Sequence, residues 1–239
     1  MFEEELKTKE AARGRQHPET LAAMANLGVN YKDAGRLAEA IPLLEEAYRA
    51  SQMHAALRWV SAPLLDAYAK SGETTKVNDL IQEQLAEART SLPTESPELA
   101  GQLAQFSVVL LTVKAWDEAE PLIREALTIR EAKEPDEWRT FSTKSMLGGV
   151  LLGQKKYAEA EPLLLAGYEG LQQREAAIPP NGKIRIREAL ERLVLLYTDW
   201  HAAEPDKGHD AKATDWQKKL NDFKAAANAE PSPTTDNAK

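Results

Sequence analysis

The sequence predicts an all-α protein made of antiparallel helix pairs that stack on one another. Three observations carry this prediction: one segment recurs four times, apolar residues before each copy follow the period of a helix, and glycine or proline marks the joints. A helix pair cannot bury its apolar face alone, so successive pairs must pack together. The 239 residues suffice for one elongated domain or two small ones.

The recurring segment is predicted to be the second helix of each pair. Its copies span residues 35–47, 72–84, 114–126 and 155–167. Within them a small apolar residue keeps one register at spacings of 37, 42 and 41, and a large apolar residue follows it. The small residues are Ala40, Val77, Ala119 and Ala160, and the large ones are Leu44, Ile81, Ile123 and Leu164.

The stretch before each copy is predicted to be the first helix. In the first full copy, Leu21, Met24, Leu27 and Tyr31 recur at intervals of a helix face. Residues 106–113 are rich in β-branched side chains and leave a buried strand as the alternative. The register of the repeat favours a helix there.

Glycine and proline punctuate the pattern. Gly35 and Gly72 stand where a first helix must end and the chain must turn. Pro42, Pro121 and Pro162 are expected in the first turn of the second helices, where a missing N–H has no partner to lose. Small residues such as Gly28 and Gly148 are expected to let two helices approach closely.

The domain boundaries follow from this register. Residues 1–13 read as the second helix of a truncated repeat, so either the sequence begins inside a longer array, which we favour, or the exposed face pairs with something. Residues 14–224 form about five helical hairpins, the last with an extended turn at 201–210. Residues 225–239 lack core-forming side chains and are expected to be a disordered tail.

Composition limits the compartment and the partners. The net charge is −8, from 30 Lys and Arg against 38 Asp and Glu, which argues against nucleic acid as a partner. There is no cysteine, and no apolar run approaches the length that a membrane helix needs. The start lacks a basic and apolar leader. We therefore expect a soluble, cytoplasmic protein without nucleic acid or membrane partners.

No catalytic pattern emerges from the sequence. None of the four histidines has a zinc-ligand spacing, and metal binding by His201 and His209 is not expected because no cysteine accompanies them. The glycines around Gly148 lie inside a predicted helix and indicate packing instead of a phosphate loop. Trp59 could face a groove or pack at a joint. We expect a protein that is not an enzyme and has no cofactor and no metal.

The chain resembles a known repeat family. Leu27-Gly28, Tyr31, Ala40 and Ala47 match the pattern of tetratricopeptide repeats, and the period near 42, longer than the usual ~34, is similar to the kinesin-light-chain subtype. The resemblance implies a right-handed superhelical solenoid with a concave groove lined by the first helices. Residues 155–180 also resemble tetratricopeptide regions that follow bacterial serine/threonine kinase domains.

The resemblance implies a peptide-binding groove. Asn26 matches an asparagine that hydrogen-bonds an extended peptide, and Gln105 is its equivalent two copies on. Further along the chain, a basic cluster near the fifth copy is the best place for an acidic partner, although surface pairing with Glu188 and Glu191 is the alternative; the cluster consists of Lys183, Arg185, Arg187 and Arg192. The predicted groove residues are Asn26, Val29, Asp33, Gln105, Arg187 and Arg192.

These observations predict a non-catalytic scaffold that binds a protein or peptide partner. The alternative is the regulatory C-terminal portion of a larger bacterial serine/threonine kinase or signalling protein. Self-association through the open N-terminal half-repeat is a further option that the sequence leaves open. An enzyme with an unrecognised site is the hypothesis that the sequence supports least.

Overall fold

The computed structural model describes residues 2–51 and 53–229, and every regular element within them is helical. The all-α prediction is therefore confirmed, and the strand alternative at residues 106–113 is wrong because they lie within or just after one helix. The α-helices are α1 Phe2–Arg13, α2 Pro18–Asp33, α3 Leu37–Ser51, α4 Ser61–Ser71, α5 Thr74–Ser91, α6 Pro97–Thr112, α7 Trp116–Lys133, α8 Trp138–Gly153, α9 Tyr157–Gln173, α10 Ile184–Ala203 and α11 His209–Ala229.

The chain divides within α5 into two compact units, one ending at Glu87 and one beginning at Ala88. In the first unit, α1 packs on α2, α2 on α3, and α3 on α4. In the second unit each helix from α6 to α11 packs on the next one along the chain. Within each unit, neighbouring helices therefore build the core by stacking, as helical repeats do.

Close approach between helices depends on glycine at two equivalent positions. A Cβ added to Gly28 of α2 would lie 2.8 Å from Leu44 Cγ of α3. A Cβ added to Gly148 of α8 would lie 2.6 Å from Leu164 Cγ of α9. Both leucines are fully buried. The small residues of the register thus let a leucine of the second helix press directly against the first helix.

Polar caps fix where the first helices begin. The His17 ring accepts a hydrogen bond from the Glu19 N–H at 3.3 Å, and Pro18 opens α2. Ser96 Oγ accepts a hydrogen bond from the Leu99 N–H at 3.1 Å ahead of α6. Each cap satisfies an N–H that has no partner inside the helix. His17 accordingly serves the joint between repeats.

The turn from first to second helix uses one backbone conformation in both units. Gly35 and Gly72 adopt φ of 75° and 76°. The equivalent residues in the next two hairpins are Lys114 and Lys155, with φ of 59° and 63°. A left-handed conformation strains a residue that carries a Cβ. The left-handed conformation is therefore kept in the two hairpins that have lysine instead of glycine at this turn.

The prolines of the second helices lie deeper than predicted. Pro42, Pro121 and Pro162 are inside α3, α7 and α9 instead of in their first turns. All three are exposed, and so are the residues four positions earlier, whose carbonyls lose the usual N–H partner. Water can reach those carbonyls, so the helix continues through each proline.

The second hairpin departs from the pattern because of Pro63. The stretch predicted to be its first helix is divided, because residues Ala55–Val60 form a 3₁₀ helix and α4 starts only at Ser61. This late start puts Pro63 in the first turn of α4, where its missing N–H costs nothing. A single α-helix would have placed the proline in its interior.

The end of the chain also differs in detail from the expectation. The turn predicted at 201–210 is shorter, because α10 continues to Ala203 and α11 begins at His209, with a 3₁₀ helix at Pro205–Lys207 between them. Residues 225–229 of the tail predicted at 225–239 are helical, because α11 extends to Ala229. Residues 230–239 lie outside the described residues.

Candidate functional site

A cavity of about 250 Å³ opens on the second unit. It is lined mainly by side chains of successive first helices, and one side chain of a second helix, Arg130 of α7, reaches it as well. Helix α6 contributes Gly101, Ala104, Gln105 and Val108, helix α8 contributes Trp138, Arg139, Ser142 and Met146, and helix α10 contributes Arg185.

Helical periodicity explains why these residues meet. The α6 lining residues recur at intervals of three and four, so they form one stripe along the helix. The α8 lining residues begin at its first residue, Trp138, and continue along one face to Met146. The opposite faces of both helices are buried in the hairpin cores. The cavity therefore lies on the face that stacking leaves free.

Arg130 is the unusual member of the lining. Arg130 is buried, with only 7% of the residue exposed. Its Nη1 donates to the main-chain oxygen of Arg139 at 3.1 Å and to Thr143 Oγ1, while its buried Nε has no hydrogen-bond partner among the described residues. Burial lowers the pKa of the Arg130 guanidinium; Glu134 opposes that effect and the positive charge of Arg139 adds to it.

The other two arginines of the cavity differ in their partners. Arg139 is exposed, and its guanidinium lies 4.8 Å from the centre of the Trp138 ring. Arg185 is partly buried and pairs with Glu188 at 2.8 Å. Arg130 and Arg139 form no ion pair with any residue that the structure describes. We call the space lined by Arg130, Arg139 and Arg185 the arginine cavity.

A glycine allows the chain before α10 to close down near the arginine cavity. A Cβ added to Gly182 would lie 3.2 Å from Cη2 of Trp138 and 2.9 Å from Cγ2 of Ile178. Gly182 is buried and sits in the short 3₁₀ helix Pro180–Gly182 just ahead of α10. The close contact positions the first turn of α10, and with it Arg185, beside α8.

Two of the predicted groove residues lie at or near this cavity. Gln105 lines it and is exposed. Arg192 lies deeper, on the same face of α10 as Arg185, and does not line the cavity. Its Nη1 donates to Ser145 Oγ at 3.2 Å, its Nη2 pairs with Glu188 at 3.4 Å, and its side chain fills the space above Gly149.

Arg187 does not line the cavity. It is exposed and pairs with Glu191 at 3.7 Å, and Glu191 in turn pairs with Lys224 of α11 at 3.3 Å. The prediction that surface pairing engages this part of the basic cluster therefore agrees with the structure. The arginine that reaches the cavity from α10 is Arg185.

The remaining predicted residues lie in the first unit, on α2. Asn26 is exposed and Val29 is partly buried, so both are accessible on one side of the helix. Asp33 is exposed and pairs with Lys32 at 3.0 Å. Lys32 also bridges to Asp66 of α4 at 2.7 Å. In the first unit, α2 therefore exposes the amide of Asn26, and an ion pair between Lys32 and Asp66 connects α2 to α4.

Sequence reasoning missed Arg130, and a signal for it existed. In the repeat register Arg130 occupies the position of Ser51 in the first full copy and Leu171 in the fourth, both of which are buried. A charged residue at a core position is costly unless something compensates it. That mismatch marks the third copy as different from its neighbours.

Other side chains that the sequence singled out have structural surroundings. His209 is buried and stacks on Trp200 with ring centres 4.2 Å apart. Trp116 packs against Gly153, where an added Cβ would lie 2.4 Å from the indole. Trp59 is 43% exposed. Within residues 2–51 and 53–229, no three acidic or histidine side chains are placed to hold a metal ion.

Membrane insertion has no candidate among the helices. In the part of the chain that the structure describes, none of them combines the length and apolar character needed to cross a bilayer.

The fold and the cavity together define a helical-repeat protein in which side chains of successive first helices line a cavity. The family model described as tetratricopeptide repeat matches residues 1–53. Comparison with curated proteins gives no match.

Solved structures resemble the fold over most of the chain. A putative kinesin light chain from Podosopora anserina with nearly identical TPR-like repeats has a TM-score of 0.61 at 16% identity, covering 90% of this chain and 99% of that one. BtubC (BKLC) from P. vanneervenii has a TM-score of 0.63 at 17% identity, covering 99% of this chain and 92% of that one. The predicted likeness to repeats of the kinesin-light-chain type is confirmed for the fold.

Proposed function

We propose that this chain is a non-catalytic scaffold that holds a peptide or protein partner against the first helices of its hairpins. The observation that carries the proposal is the cavity to which α6, α8 and α10 all contribute side chains. A surface built from successive repeats suits an extended partner, because each repeat can hold a different part of it.

The size of the cavity favours part of a larger partner over a free cofactor. Pockets for small molecules have volumes of roughly 300–1,000 Å³, and this one has about 250 Å³. A side chain of a bound peptide fits that space. Gln105 and Asn26 each offer a donor and an acceptor, which is what a peptide backbone requires.

Photo-crosslinking in cells tests the scaffold proposal. A photoreactive residue at position 105 should capture a partner, and Gln105→Ala combined with Asn26→Ala should reduce co-purification of that partner by roughly tenfold. The matched control is Gln172→Ala, which removes an exposed amide from the second helix α9. The proposal fails if position 105 captures nothing, or if both sets of variants lower partner recovery equally.

A second candidate function is regulation of a kinase within a longer protein. It rests on the similarity of residues 155–180 to tetratricopeptide regions that follow bacterial serine/threonine kinase domains. The genomic sequence upstream of the codon for Met1 decides it. An open frame encoding a kinase domain supports this candidate, and an in-frame stop codon removes it.

Self-association is proposed for the N-terminal helix. Phe2 of α1 is 38% exposed, and Leu6 is the residue of that helix that is buried. Light scattering on this chain and on one extended by a repeat tests the idea. Dimerisation of this chain alone supports it, and monomers in both samples contradict it.

A further inference from the structure

The arginine cavity concentrates positive charge in a chain whose net charge is −8. Arg130 and Arg139 form no ion pair with any described residue, and Arg185 shares Glu188 with Arg192. Glu188 therefore pairs with two guanidinium groups, while Arg130 and Arg139 have no carboxylate within ion-pair distance and Glu134 acts on Arg130 only from farther away. Positive charge that no carboxylate balances is unfavourable in a fold, and a bound anion would balance it.

The position of Arg130 makes the cost larger. A guanidinium that leaves water loses hydration, and an incomplete set of hydrogen bonds does not replace it. The Nη1 of Arg130 has two acceptors, but its Nε has none among the residues described. Other copies of the repeat place Ser51 or Leu171 at this position without such a cost. The third copy therefore has a buried cation where these two copies have a neutral side chain.

The two remaining arginines stand at helix starts, where the helix dipole disfavours a cation. Arg139 lies in the first turn of α8 and Arg185 in the first turn of α10. The first turn of α10 contains no acidic residue and its N-cap is Lys183, whereas Glu137 is the N-cap of α8 and offsets part of the positive charge there. The start of α10 therefore adds to the positive potential of the arginines, which favours binding of an oxyanion.

The charge expected of the ligand follows from the guanidinium groups that have no ion pair. Two guanidinium groups without an ion pair match a group that carries close to two negative charges. A carboxylate carries one negative charge, while a phosphorylated side chain carries about −1.5 to −2 at neutral pH and offers three acceptor oxygens. Arginine also suits phosphate through paired N–H···O hydrogen bonds.

We propose that the arginine cavity is a subsite for a phosphorylated side chain of the bound partner, with Arg130, Arg139 and Arg185 as its ligands. The inference rests on the proposed scaffold function, since the phosphate belongs to the partner. Gln105 and Trp138 line the same space and are available to the residues that flank the phosphorylated one.

An NMR titration of the full chain tests the subsite without knowledge of the partner. The probes are N-acetyl-phosphoserine methylamide, the matching glutamate compound and inorganic phosphate, each added at constant ionic strength. The readout is the Nε–Hε resonance of each arginine. We expect saturable shifts of Arg130 and Arg139 with phosphoserine, and an affinity at least roughly tenfold lower for the glutamate probe.

Two variants distinguish a specific anion-binding site from nonspecific attraction of anions to positive charge. Arg139→Gln, at an exposed position, should lower phosphoserine affinity by about tenfold. The control Arg124→Gln lies on the exposed face of α7, the helix that carries Arg130, and should leave the affinity unchanged. Equal losses in both variants, no saturable shift, or equal binding of glutamate and phosphoserine overturns the proposal.

The phosphate inference and the scaffold proposal can fail separately. If a partner crosslinked at position 105 still binds with unchanged affinity after phosphatase treatment, the phosphate subsite is wrong and the scaffold stands. If phosphoserine binds the arginine cavity but position 105 captures no partner, the subsite stands without the scaffold.

Discussion

Arg130 and Arg192 are two largely buried arginines of the second unit with different surroundings. Burial lowers the pKa of both guanidinium groups. Arg192 pairs with Glu188, donates to Ser145 and fills the space above Gly149. Arg130 has no ion pair among the described residues and lines a cavity. Arg192 completes the packing between α8 and α10, whereas Arg130 lines the arginine cavity with its buried Nε unpaired among the described residues.

The largest expected effect is on folding, from Arg192→Ala. The substitution empties the space above Gly149 and removes one of the two cations paired with Glu188. We expect the free energy of unfolding in urea to fall by about 2–3 kcal/mol. Arg187→Ala, on the exposed side of the same helix, should change it by less than about 0.5 kcal/mol. Equal losses would show that Arg192 has no special role in packing.

The pH dependence of ligand binding tests whether the arginine cavity selects a dianion. The second ionisation of a phosphomonoester has a pKa of about 6, whereas arginines keep their charge throughout this range. Phosphoserine affinity, measured by the same NMR titration, should therefore fall by roughly tenfold between pH 7 and pH 5 as the dianion is lost. An affinity that stays constant over this interval would mean that the cavity does not select a dianion.

Folding should respond to acid in a lower pH window, through Glu161. Burial opposes the ionisation of Glu161, but hydrogen bonds from Tyr197 Oη at 2.6 Å and Lys212 Nζ at 3.0 Å prevail and lower the pKa of the carboxyl group. Because the folded-state pKa is lowered, this contribution is present at neutral pH. It is lost as the pH falls from about 4.5, the unperturbed value, through the folded-state pKa.

Glu161→Gln should therefore lower stability by about 1 kcal/mol at pH 7 and flatten its decline below pH 4.5. Urea titrations at several pH values measure both effects. The first unit holds a similar arrangement, in which Glu45 accepts from Tyr68 Oη at 2.7 Å and Lys76 Nζ at 3.2 Å. Glu45→Gln should behave alike, and a variant as acid-sensitive as the parent would contradict this role.

The smallest expected effect concerns the backbone alone. Lys155 has a φ of 63° at the turn where Gly35 and Gly72 serve the first two hairpins. Lys155→Gly should relieve that strain and raise stability by about 0.5–1 kcal/mol in thermal unfolding. Lys156→Gly, at a residue with φ of −85°, should give no gain. A gain from both variants would point to charge instead of backbone conformation.

Much of the fold was predictable because the repeat register carries more information than local propensity. It identified residues 106–113 as part of a first helix despite their β-branched side chains, and it matched Gly28 with Gly148. The break at Pro63 was not predicted, since one proline can be accommodated by starting the α-helix later. The turn and tail after α10 had no repeat to align with.

The site was less predictable than the fold. The resemblance placed Gln105 on an accessible face, which is where the structure has it. From the basic cluster near the fifth copy, which includes Arg185, the prediction chose Arg187 and Arg192, although a spacing of seven puts Arg185 and Arg192 on one face of α10. Arg130 was not singled out from the sequence, and only the packing of α7 against α8 reveals that its side chain reaches a cavity.

The most direct test of the account measures folding and binding together in Arg130→Met. Methionine keeps much of the apolar volume without the charge, so the free energy of unfolding in urea should stay within about 1 kcal/mol of the parent or rise. Phosphoserine should no longer produce a saturable shift of the Arg139 Nε–Hε resonance. If instead the variant loses several kcal/mol of stability while its phosphoserine affinity is unchanged, Arg130 belongs to the fold and the arginine cavity is not a phosphate subsite.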